Sequence, residues 1–124
     1  MPTQRQLRVN NLLQQEIASI LRREITDPHL GFVTLTGVEV AADLRHARVF
    51  VSVLGDEAAK KESMSALIRA RNFIRGLLGD RLDLRNIPEL RFVLDETAEK
   101  AQRMEILLNK VAENPGDEEE GAVG

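Results

Sequence analysis

The chain has 124 residues, enough for one domain, and 43% of them are hydrophobic, so an ordinary core is expected. It has no cysteine, which excludes disulfides and thiol chemistry, and no apolar run approaches the roughly 20 residues that span a bilayer. The formal charge of −3 argues at first against a nucleic-acid partner, but residues 1–112 hold all 17 Lys and Arg and only 15 of the 20 acids, a net of +2.

The N-terminus, Met1-Pro2-Thr3-Gln4-Arg5, lacks the apolar stretch of a signal peptide, and the cytoplasm is the expected location. Thr3 and Gln6 match a capping box, with Thr at the N-cap and Gln three residues on. Val9, Leu13, Ile17, Ile20 and Leu21 then keep the 3–4 spacing of one buried helix face, and Asp27-Pro28 is the predicted stop. The opposite face carries Arg5, Arg8, Gln15, Arg22 and Arg23.

Phe32–Val40 and Ala47–Leu54 are rich in β-branched residues and read as strands joined by a short hairpin connection, 41–46. Ala47, Val49, Val51 and Val53 form one small apolar face, and Gly37 suggests a bulge. Asp56 is a plausible N-cap for a helical stretch in which Met64, Leu67, Ala70, Ile74, Leu77 and Leu78 keep register, with Gly79-Asp80 as its predicted end. Leu90–Leu94 reads as a third strand. A last helix is predicted from about Thr97 to Val111, with Ala101, Met104, Leu108 and Val111 on one face. Residues 113–124 are acidic, have almost nothing to bury and read as a disordered tail.

This order predicts an α+β domain over residues 1–112, with a three-stranded mixed sheet and helices mainly on one face. The helical crossover is long enough to make the second and third strands parallel.

No catalytic set emerges. His29 and His46 lie in separate predicted connections without clustered ligands, so neither a metal site nor a cofactor is expected. Asp80 with Asp83, and Asp95 with Glu96, sit where caps belong. Four Phe with no Trp or Tyr do not support a base-stacking sheet. What remains is arginine: Arg69, Arg71, Arg75, Arg81, Arg85 and Arg91 fall within 23 residues that hold three acids. Such a row can neutralise phosphates, or can be a solvated face paired with local carboxylates. Gly76-Leu77-Leu78-Gly79 matches the GXXG string of K-homology domains, but both leucines are in register with the buried stripe, so the string reads as a helix end.

Three sets of residues carry a family resemblance. They are Asp27-Pro28-His29-Leu30-Gly31-Phe32-Val33-Thr34; Val38-Glu39-Val40 with Asp43-Leu44 and Ala47-Arg48-Val49-Phe50-Val51-Ser52; and Phe73-Ile74-Arg75 with Leu78-Gly79, Leu84-Arg85 and Pro88-Glu89-Leu90. In this order, over about residues 5–110, the chain resembles the ribosome-binding factor A family. The resemblance implies a type II K-homology-like fold in which an interhelical kink of the form Ala-x-Gly replaces the GXXG loop. The matching positions are Ala70-Arg71-Asn72, with Asn in place of Gly. It further implies a non-enzymatic factor that binds the free 30S subunit and immature 16S rRNA near the 5′-terminal helix. That factor aids late subunit maturation and cold adaptation, and leaves with the help of a subunit-maturation GTPase. No membrane is implied, and the chain is expected to act as a monomer. The residues expected to contact RNA are Arg8, Arg22, Arg23, Arg45, Arg48, Arg69, Ala70, Arg71, Asn72, Arg75, Arg81 and Arg85. The alternative is a protein–protein module that docks through its first helix or open sheet face.

Overall fold

A computed structural model describes residues 1–113. Apart from Glu113, the expected acidic tail lies outside the described residues.

Helix α1 spans Gln4–Arg23. Its capping box is complete: Thr3 Oγ1 accepts from the Gln6 amide at 3.1 Å, and Gln6 Oε1 accepts from the Thr3 amide at 2.8 Å. Val9, Leu13, Ile17 and Ile20 are buried at the expected spacing. The helix stops before the predicted Asp27-Pro28 boundary. The Asp27 carboxylate accepts from the His29 amide at 2.9 Å, a local turn that competes with continued helix.

Strands β1, Phe32–Val40, and β2, His46–Leu54, pair antiparallel, and β3, Glu89–Leu94, pairs parallel with β2. The sheet order is β1-β2-β3, which the sequence left open. The register shifts between Leu35 and Gly37, placing the bulge where the glycine suggested it. Val38, Val40, Ala47, Val49, Val51, Val53 and Leu90 turn inward beneath the helices and are buried. The opposite face exposes Glu39, Arg48 and Arg91.

Helix α2 spans Glu57–Arg81. Asp56 caps it, accepting from the Ala59 amide at 2.8 Å. Gly55 turns into it at φ 137°, where a Cβ would stand 2.8 Å from that of Ala59.

Two expectations for α2 are corrected. Gly79 does not end the helix. Helical structure continues to Arg81, and the Leu82 amide donates to the Leu78 carbonyl at 2.9 Å. The GXXG string is therefore ordinary helix, with Leu78 fully buried. Nor does the chain leave helical conformation at Ala70-Arg71-Asn72. Leu67, Ile74 and Leu78 form one unbroken buried stripe, and an interruption at 70–72 would lift its second half from the sheet. Asn72 is exposed and keeps a negative φ.

Helix α3 spans Thr97–Glu113. Its first turn is held to α2 by Lys60, whose Nζ donates to Glu96 at 3.0 Å and Glu99 at 2.8 Å. The side chain of Lys60 is buried, and these hydrogen bonds raise its pKa. The same contact lowers the pKa of Glu96. Beyond that turn the expected buried face is not buried: Met104 is 58% and Leu108 63% exposed. The inner face of the sheet is already occupied by α1 and α2. The remaining architecture is the α+β, type II K-homology-like arrangement expected: a mixed three-stranded sheet with two helices on one face.

Candidate nucleic-acid interface

The expected contact residues divide by what their side chains already hold. Arg69 Nη2 lies 3.1 Å from Asp27 Oδ2, and Arg81 Nη2 lies 2.8 Å from Glu24 Oε2 and joins α2 to α1. The His29 amide, and then Arg69, hold the Asp27 carboxyl below its usual range. Arg48 pairs with Glu39 at 2.7 Å and sits 5.6 Å from the Phe50 ring centroid, both on the outer sheet face. Arg75 donates from Nε to the Pro88 carbonyl and from Nη2 to the Ile87 carbonyl, each at 3.0 Å. Ala70 is half-buried against the core and Asn72 faces solvent.

Arg8, Arg22, Arg23, Arg45, Arg71 and Arg85 make no side-chain hydrogen bond or ion pair among the described residues. The same holds for Arg5 and Arg91, which were outside the expected set. Most of these free cations meet at the hairpin end of the sheet. Arg5, Arg8 and Arg85 line one cleft with Asp43 and Asp83. Arg48, Arg71 and Arg91 line a second with Glu39 and Glu89, and Ala42 borders both. Arg45 stands in the connection between β1 and β2. Arg22 and Arg23 lie at the far end of α1.

Local hydrogen bonds build this convergence. The start of α1 is tied to the end of β1: Asn10 Oδ1 accepts from the Val40 amide at 2.8 Å, and Gln6 Nε2 donates to the Val40 carbonyl at 3.2 Å. The Glu89 amide donates to the Arg45 carbonyl at 2.8 Å, fixing the start of β3 against the hairpin. Parallel pairing then sets Arg91 beside Arg48. Arg5 and Arg8 project from the first two turns of α1, where the helix dipole adds positive potential. The two clefts together hold six arginines and four carboxylates; Arg48 and Glu39 pair with each other, which leaves five arginines against three carboxylates. A surface of this charge can neutralise phosphates and, among the described residues, carries no groups arranged to read bases.

Candidate acid–base groups serve other purposes. Asp95 accepts from the Thr97 amide at 2.9 Å and from Thr36 Oγ1 at 2.8 Å; the Thr97 side chain, then its amide, then Thr36 lower the Asp95 pKa. His29 contacts Asp27 in an exposed turn. Among the described residues no three His, Cys, Asp or Glu are grouped to hold a metal ion, and no helix is long and apolar enough to cross a membrane.

Residues 5–108 match the family model described as ribosome-binding factor A. The chain is similar to ribosome-binding factor A of Halothermothrix orenii, at 47% identity over 98% of this chain and 100% of that one. The crystal structure of ribosome-binding factor A from Thermus thermophilus superposes with a TM-score of 0.65 at 24% identity, covering 72% of this chain and 93% of that one. A Thermus thermophilus homology model fitted into the cryo-EM map of a 30S–RbfA complex superposes with a TM-score of 0.54 at 24% identity, over 73% and 91%.

Proposed function

The chain belongs to the ribosome-binding factor A family, and from that premise we propose that it is a non-catalytic assembly factor that binds the free 30S subunit through phosphates of immature 16S rRNA. The observation that carries this reading is the set of unpaired arginines at the hairpin end of the sheet. Arg5, Arg8, Arg45, Arg71, Arg85 and Arg91 make the principal phosphate contacts. Arg69 and Arg81, already paired with carboxylates of or next to α1, contribute less.

The contact lies near the 5′-terminal helix of the rRNA and assists late maturation in the cytoplasm, including in the cold. A subunit-maturation GTPase then promotes release, and the factor works as a monomer. The family name, and the relative fitted into a 30S complex, support the choice of partner.

Chemical footprinting of small-subunit rRNA, with and without the protein across a salt series, tests this reading. Protection confined to one rRNA region and fading as salt rises is the expected result. Absence of any protected nucleotide at low salt overturns it.

A second reading, a protein-docking module, draws on Phe32 and Leu54, which pair across the sheet and are 79% and 74% exposed. It calls for subunit binding that is insensitive to salt.

A further inference from the structure

We infer that Arg75 is a positioning residue, which fixes the spacing of the arginines around it and does not itself hold RNA. The inference rests on the RNA-binding reading for its functional consequence, and on geometry alone for the clamp.

The guanidinium of Arg75 uses one edge, Nε and Nη2, to bond two successive carbonyls, Pro88 and Ile87, each at 3.0 Å. β3 is an edge strand, so the chain just before it has no neighbour on one side. Pro88 is fully buried, and Ile87 packs against the core. Their carbonyls lie in part-buried surroundings, where an acceptor without a donor is disfavoured. A planar fork with two parallel N–H groups meets that need, whereas an ammonium is a single point of charge.

The next amide along, that of Glu89, donates to the Arg45 carbonyl in the hairpin connection. One chain of bonds thus runs from α2 through the Ile87-Pro88-Glu89 segment to Arg45. Arg85 lies two residues before this segment and Arg91 two residues after it. Strand register carries the constraint on to Arg48, which pairs with Arg91. The clamp therefore sets the mutual placement of cations supplied by the hairpin, the 82–88 connection and β3. Arg71, one turn before Arg75 on the same face of α2, is left free to reach a phosphate.

Arg75→Lys, which keeps the charge, and Arg75→Gln, which removes it, separate the two roles. In the full chain without RNA, amide exchange at Glu89 is expected to speed up about tenfold or more in both variants, as two hydrogen bonds are lost. Arg71→Gln, the control, leaves that exchange unchanged. Binding to small subunits is expected to weaken alike in Lys and Gln variants. In an Arg85→Gln, Arg91→Gln background the Arg75 change has less effect, since the two arginines that flank the clamped segment are gone. A merely structural loss would weaken binding equally in both backgrounds.

The inference is overturned if Arg75→Lys binds like the parent and leaves Glu89 exchange unchanged, while Arg75→Gln lowers the salt slope by roughly 0.7–0.9, the value of one phosphate contact. If the parent does not bind subunits, the functional reading fails, and the exchange arm still decides whether the clamp exists.

Discussion

Gly76→Ala and Gly79→Ala are expected to stabilise the protein, and the sign of the effect separates two accounts of this segment. A glycine that closes a helix adopts positive φ, and alanine there is strained. Here both glycines lie inside α2, and neither has positive φ. A Cβ on Gly76 would meet nothing within 4 Å, and one on Gly79 would meet Ile87 Cγ1 at 3.8 Å, ordinary van der Waals contact. Alanine exceeds glycine by about 0.8–1.0 kcal/mol in a helix interior. Gly76, five residues from the end, should realise most of that, and Gly79, in the last turn, about half. The double variant should then gain about 1.2–1.5 kcal/mol, a rise in Tm of roughly 3–6 °C for a domain of this size. Thermal unfolding followed by circular dichroism reads this directly. Small-subunit binding should not change, because neither glycine belongs to the arginine clefts. A lower Tm in either single variant would refute the continuous helix.

Leu108→Ser is expected to leave stability within about 0.5 kcal/mol of the parent, since Leu108 is already exposed; a loss above roughly 2 kcal/mol in urea unfolding would show that α3 is covered. Attachment of α3 should depend on pH with a definite sign. Glu96 is depressed by Lys60, so its contribution is complete above the ordinary carboxylate value and is lost as pH falls through the depressed one. Lys60 is raised, so its contribution is complete below the ordinary lysine value and disappears as pH rises through the raised one. The protection factor of the Lys100 amide, which donates to the Glu96 carbonyl, should therefore be greatest between these limits, and Lys60→Met should remove the alkaline loss and shrink the acid one to the part that Asp95 carries. An alkaline limb that persists in Lys60→Met would assign it to another group.

The features legible in the sequence are those whose causes are local. The capping box joins residues three apart, Asp56 reaches an amide three residues on, and the Gly37 bulge sits on its own glycine. The buried stripes of α1 and β2 follow from periodicity alone. What escaped prediction depends on distant partners. Gly79 carries a stop signal, but the core contact of Leu78 and the bond from Leu82 carry the helix past it. The stripe of α3 has core periodicity, yet no pattern within a helix shows that α1 and α2 already fill the sheet. The same holds for the candidate interface. Arg69, Arg75 and Arg81 form a dense run of charge, but their partners lie 42, 12–13 and 57 residues away. Arg91 joins the clefts through strand register, and Arg5 through the docking of the first turns of α1 on Val40. The exposed position of Arg5 on its helix and the place of Arg91 at the end of the arginine row were the available signals.

The most direct test of the central claim is the salt dependence of small-subunit binding by the Arg8→Glu, Arg85→Glu double variant. Both arginines line one cleft, neither has a partner among the described residues, and neither side chain supports the core. Co-sedimentation should show a marked loss of affinity at low salt, and a slope of log K against log salt reduced by roughly 1.4–1.8 for two lost phosphate contacts. An unchanged affinity and slope, in a variant with the parent's Tm, would contradict phosphate recognition at the hairpin end.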